Sequence, residues 1–203
     1  MRWVLALATV SLLGAADGPR LSFSKSFPGS VPAYVEIALD KSGEATYKEA
    51  TDDDRPLRFQ VAEADVNEIF GLADKLGHFN RPLEAPLKVA FMGTKTFRFE
   101  NGPEKHEVKF NYSEDVDAQA LLDWFERISE TEQHMISLER TVKYDKLGVN
   151  QALLLLQISL ERKRLVAAQQ LLPMLDRVAK NDSYMHMARE RAASLAEAIR
   201  APK

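Results

Sequence analysis

The chain contains no cysteine. That excludes disulfides, thiolate metal sites, cysteine nucleophiles and a lipidated cysteine at an export cut. An excess of basic charge is also missing: 27 lysines and arginines stand against 30 aspartates and glutamates, for a formal net charge of −3. A mildly acidic, evenly mixed surface gives no electrostatic footprint for nucleic acid and no basic helix for a membrane surface. Beyond the N-terminus no apolar run nears the ~20 residues of a membrane span. The densest, Ala152 to Leu156, reads as helix core. The sequence has no Gly-x-Gly-x-x-Gly, no phosphate-binding loop, no His-Glu-x-x-His and no Gly-x-Ser-x-Gly. These motifs therefore call for no cofactor, no metal and no named catalytic residue.

What is present begins with an address. Arg2 precedes an apolar run from Trp3 to Leu13, broken only by Thr9 and Ser11, and Gly14-Ala15-Ala16 follows. One charge, a short apolar stretch and a small-residue exit form the layout of a secretory signal peptide, cut after Ala16. The run is too short to span a bilayer stably. The expectation is an exported bacterial protein, periplasmic or secreted, with no transmembrane segment in its mature chain. The division is 1–16 signal peptide, 17–142 an α+β domain, and 143–203 a helical segment. A chain this long buries enough surface to fold without covalent staples.

The first half carries period-two patterns. Ala33 to Asp40 alternates, with Val35, Ile37 and Leu39 on one face. Asp40-Lys41-Ser42-Gly43 makes a hairpin connection with glycine where φ is positive, and Glu44 to Ala50 returns. Leu21 to Phe27 and Leu57 to Val61 are further strands. Glu63 to Leu76 switches to helical period, with Val66, Ile69, Phe70, Ala73 and Leu76 on one stripe. Leu87 to Met92, Lys95 to Glu100 and Lys105 to Tyr112 then read as three strands. The last has His106, Val108 and Phe110 on its inner face and lysines and a glutamate on its outer one. An antiparallel sheet with one wet side follows.

After residue 113 the chain is helical. Ser113-Glu114-Asp115 offers a capping oxygen and first-turn acids. Leu121, Trp124, Phe125, Ile128, Met135, Leu138 and Val142 run along one stripe of a long helix, with Trp124 and Phe125 as the joint to the sheet. Leu147 to Glu161 is apolar on more than one face, which predicts packing on two sides. Leu165 to Lys180 is the next helix, kinked or split at Pro173. Tyr184 to Arg200 is the last. The two central helices have the unit length of a tetratricopeptide pair but lack its aromatic and glycine signature, so a helical hairpin plus terminal helix is the reading. The fold class is α+β: an antiparallel sheet with helices on one face, followed by the helical hairpin and terminal helix.

Gly29, Pro32, Tyr34, Gly43 and Tyr47 carry a resemblance. They match a Gly-Thr-Cys-Pro-x-Tyr…Gly-x-x-x-Tyr hairpin, and residues 20–112 resemble a family of secreted bacterial domains of unknown function. Val31 stands at that family's cysteine position. The resemblance implies the sheet fold and an envelope location, and no mechanism. In the bottom-up reading of the same residues, Pro32 starts a strand, Gly43 makes the turn, and Tyr34 and Tyr47 are placed to pair across it.

Candidate chemistry is sparse. Of the four histidines, His78, His106, His134 and His186, only His106 is expected to be partly buried. A small envelope hydrolase would use it with Glu104 or Glu36. Met185-His186-Met187 and His134-Met135 contain soft copper ligands, but Met185 and Met187 lie ~200° apart on a helix and do not face one ion. Asp52-Asp53-Asp54 lacks calcium-loop spacing and reads as a solvated turn. The leading expectation is a non-enzymatic module that binds another envelope protein, through helices apolar on several faces. The alternative is a small envelope hydrolase or a ligand- or metal-binding protein.

Overall fold

The computed structural model of the protein describes residues 18–201. The signal segment and the Ala16 cut lie outside them. Six strands, β1 (Arg20–Ser26), β2 (Tyr34–Asp40), β3 (Glu44–Lys48), β4 (Leu57–Gln60), β5 (Thr94–Asn101) and β6 (Glu104–Phe110), form one sheet. Their order is β4-β3-β2-β1-β5-β6, with every neighbouring pair antiparallel. Five α-helices follow or interrupt them: α1 (Glu63–Lys75), α2 (Val116–Tyr144), α3 (Val149–Glu161), α4 (Leu172–Ala179) and α5 (His186–Arg200). The α+β class with C-terminal helices is what the patterning predicts. No helix among the described residues is long and apolar enough to cross a membrane.

The period of two decides the two faces of the sheet. Leu21 and Phe23 of β1 face the core beside Ile37 and Leu39 of β2 and Phe97 and Phe99 of β5. The outer face carries Glu36 with Lys48 and Arg98 with Glu107. At the β2–β3 turn Gly43 has φ +86°, and its amide donates to Asp40 O at 3.1 Å. Asp40 Oδ1 also accepts from the Ser42 amide at 2.9 Å. Tyr34 and Tyr47 do not pair across this hairpin. Tyr47 stands opposite Ile37 on the core face, whereas Tyr34 lies on the other face against Glu36. An odd sequence separation puts two strand residues on opposite faces unless the turn restores the parity, and here it does not.

Two other expectations fail for local reasons. Residues 87–92 form no strand. Pro86 precedes the run and Gly93, at φ +95°, follows it, and the segment is held by side chains rather than by a ladder. The Asn111 carboxamide accepts from the Met92 amide at 2.7 Å and donates to Ala90 O at 3.0 Å. Second, Pro173 does not kink a helix from 165 to 180. It sits in the first turn of α4, where its missing N–H is no loss. Ahead of it, Lys163 (φ 57°) and Ala167 (φ 55°) turn the chain through left-handed backbone, and Ala168–Leu171 is a 3-10 turn.

Helix α2 joins the two halves. Asp115 caps it, its Oδ1 accepting from the amides of Asp117 and Ala118 at 2.9 and 3.1 Å. Ala118, Leu121, Phe125 and Ile128 pack into the sheet core, where the Phe125 ring stacks on Phe23 at 5.1 Å. Trp124, the other anticipated anchor, donates from Nε1 to Glu68 of α1 at 3.2 Å. About three turns further on, Leu138 belongs to a second core with Leu153 and Leu156 of α3, Leu175 of α4 and Leu195 of α5. Helix α3 lies between α2 and α5, so its apolarity on two sides is met within the chain.

Candidate functional site

The sheet's core face breaks its own rule at one end. Lys25 of β1 and Lys95 of β5 stand directly opposite each other on that face. Like charges in this position repel. Lys95 is buried, and its ammonium donates to Asn111 O at 2.6 Å. Burial, then the Lys25 charge, holds its pKa below the ordinary lysine value, while Glu126 and Glu84 oppose the shift. Lys25 instead lines a cavity of about 310 Å³.

The cavity lies where α2 leaves the sheet. Phe23, Lys25 and Val35 come from the strands. Glu126, Ser129, Glu130 and Gln133 come from α2, at i, i+3, i+4 and i+7, the spacing of one helical stripe. Ser30, Val31 and Pro32 supply the rim. The loop bearing them is closed by its own hydrogen bonds: the Phe27 amide donates to Ala33 O at 2.9 Å and the Ser30 amide to Phe27 O at 3.0 Å. The Ser30 hydroxyl lies 2.8 Å from Phe27 O and 2.7 Å from Pro32 O. This holds Val31 outward, 99 % exposed. Beside it the Phe27 ring meets Phe91 edge-on at 6.0 Å. Phe91, 57 % exposed, shares its loop with exposed Leu87, Val89 and Met92. Two loops at one end of the sheet, joined by the Phe27–Phe91 contact, thus put five large apolar side chains into water, with Val31 among them on the rim of the charged cavity. The alternation of Leu87, Val89 and Phe91 is legible in the sequence, but reads there as a buried strand face.

A second polar cluster sits on α2 beside the cavity. Arg164 donates from Nε to Glu130 at 3.0 Å and also pairs with Asp123. The Ser159 hydroxyl donates to Glu130 Oε1 at 2.5 Å, and His134 Nε2 lies 2.8 Å from the same hydroxyl. Serine, histidine and glutamate come together here, a grouping the sequence does not announce. The arrangement is not a nucleophilic triad, in which the acid orients the histidine and the histidine takes the serine proton. Here the acid holds the serine proton, so His134 Nε2 must be the donor and cannot act as base toward it. Burial also keeps His134 below the usual histidine range, against the opposing Glu130 charge. The cluster ties α3 and the following turn to α2.

Of the two sequence-derived hydrolase pairs, His106 with Glu104 or with Glu36, the structure brings only the first together. His106 Nδ1 is 3.6 Å from Glu104 Oε1, but Glu36 lies on the sheet's opposite face with Tyr34 and Lys48. Nor is His106 alone in being partly buried. His78 stacks on Phe99 at 3.9 Å, its Nε2 2.8 Å from Asp74 Oδ1 and its Nδ1 3.3 Å from Glu104 Oε1. Among the described residues no three histidines or carboxylates are arranged to hold a metal ion. Met185 and Met187 are both exposed, and His186 pairs with Glu190 at 3.2 Å. Asp53 accepts from the Arg55 amide at 2.9 Å in an exposed turn. No protein-family model and no curated protein matches this sequence.

Proposed function

We propose that the protein is an exported, non-enzymatic binding module of the bacterial envelope, and that it holds another protein at the loop end of its sheet. One observation carries the reading: Val31 on the cavity rim and Leu87, Val89, Phe91 and Met92 on the loop joined to it through the Phe27–Phe91 contact are all exposed. Clustered exposed apolar side chains on well-braced loops mark contact surfaces. The helices are the weaker candidate for the contact, because most of their apolar side chains pack into their own core, which leaves Leu147, Leu155, Met185 and Met187 exposed. The envelope location rests on the N-terminal layout and on the hairpin resemblance at Gly29, Pro32, Tyr34, Gly43 and Tyr47. N-terminal sequencing of the exported protein is expected to begin at Asp17.

Site-specific photo-crosslinking in cells tests the contact. The probe is placed at Val31 or Phe91, at Met187 on α5, and at exposed Arg177 on α4 as the control. A discrete adduct from positions 31 and 91, absent at 177, with a protein that binds the purified chain, supports the reading. An adduct from 187 alone moves the contact to the helices. No adduct at 31 or 91 contradicts the proposal.

A further inference from the structure

Among the described residues, the most deeply buried acid lies at the junction of the protein's two halves. Glu132 of α2 is 0 % exposed. Its Oε1 accepts from the Gln170 carboxamide at 2.6 Å, and its Oε2 is buried without a partner among the described residues. Gln170 belongs to the segment 162–171, which has left-handed backbone at Lys163 and Ala167 and is fixed to α2 by side chains. The neighbouring residue, Thr131, accepts the buried Val166 amide at 3.0 Å. Val166 packs into the sheet core, while Leu165 and Leu171 pack into the helical one. This segment therefore ties both cores to α2.

An ionised carboxylate here has one neutral donor and an unsolvated second oxygen, so burial disfavours the charged form. We propose that Glu132 is a proton-operated latch: protonated, it keeps residues 162–171 seated on α2, and ionised, it loosens them. The other titratable groups of the junction are accounted for. Asp123 and Glu130 are held by Arg164, His134 is bonded to Ser159, and Arg127 lies over the Trp124 ring. None of them bonds Glu132. Burial raises its pKa to about 7, opposed only by the Gln170 hydrogen bond. The sign follows from linkage. The seated form binds the proton more tightly than an opened, hydrated form, which titrates near ~4.3. Seating is strongest below that value and weakens as pH rises to about 7.

Hydrogen exchange on the full chain tests the latch, with the Val166 amide as reporter. After correction for intrinsic rates, Val166 protection is expected to fall at least about tenfold from pH 5 to pH 8. Glu132→Gln, neutral at every pH, is expected to abolish that fall. A flat wild-type profile, or an unchanged slope in the variant, overturns the proposal. If the variant does not fold, the carbon-13 titration of the Glu132 carboxyl in the wild type decides. A midpoint near neutrality sustains the latch, and one in the ordinary glutamate range, about 4.3, overturns it.

Discussion

Lys25 and Lys95 face each other across β1 and β5 on the side of the sheet that elsewhere carries only packing side chains at its centre. Two ammonium groups in directly opposed positions cost about 0.2–1 kcal/mol relative to a neutral pair. Lys25→Met is therefore expected to stabilise the protein by roughly 0.5 kcal/mol in urea unfolding at low salt. The gain is expected to shrink as salt screens the pair. Destabilisation by this substitution at low salt would show that Lys25 is held by an attraction instead.

Gly43 is fixed both by its backbone and by its surroundings. At φ +86° a side chain is strained, and an added Cβ would collide with Gln60 Nε2 and lie 2.5 Å from Val61 O. Gly43→Ala is expected to cost about 1–3 kcal/mol, more than the loss of a surface contact. A change within about 0.5 kcal/mol would show that the β2–β3 turn relaxes freely.

The cap of α2 gives a pH-dependent expectation. A hydrogen bond from Arg81 and those from the Ala118 and Asp117 amides hold the Asp115 carboxyl below the usual aspartate range. A depressed folded-state pKa stabilises above the unfolded value, ~3.9, and that stability is lost as pH falls through the folded value. Asp115→Ala is expected to cost about 1 kcal/mol at pH 7. The gap between variant and wild type should close as the pH is lowered past the aspartate range. A gap independent of pH would contradict the assignment.

Phe125 stands at the centre of the joint between the sheet and the long helix. Phe125 is fully buried and stacks on Phe23. Phe125→Ala is expected to cost about 3–5 kcal/mol in chemical unfolding. A loss below about 1 kcal/mol would mean that α2 is not seated on the sheet as described.

Much of the fold is legible in the sequence. The stripe Leu121, Trp124, Phe125, Ile128 has an unbroken helical period, β2 alternates throughout and β1, β5 and β6 alternate apart from Lys25, Lys95, Glu104 and His106, so local pattern and tertiary burial largely agree. Leu87, Val89 and Phe91 alternate equally well, yet all three are exposed and outside any ladder. Periodicity reports which side chains share a face, and says nothing about whether another strand is available to cover it. Pro173 misled because a proline breaks a helix interior and starts a helix equally well, depending on where the preceding turn falls. The cavity was not legible for a different reason. Lys25, Ser30, Glu126 and Arg164 are ordinary residues in sequence and meet only through the pairing of β1 with β2 and the docking of the turn after α3. Glu132 likewise looks like any solvated glutamate on a polar stretch of helix until the segment 162–171 closes over it.

The apolar lip is expected to serve a partner and not the fold. The direct measurement compares wild type with the triple variant Leu87→Ser, Val89→Ser, Phe91→Ser, reading thermal stability and, in the same preparation, binding to the protein identified by crosslinking at position 91. Exposed side chains that touch little change stability by only about 0.5 kcal/mol each. The expected result is a melting temperature within a few degrees of wild type and binding weakened at least about tenfold, as for loss of contact-surface anchors. Intact binding, or a loss of stability on the scale of a core substitution such as Phe125→Ala, would contradict the account.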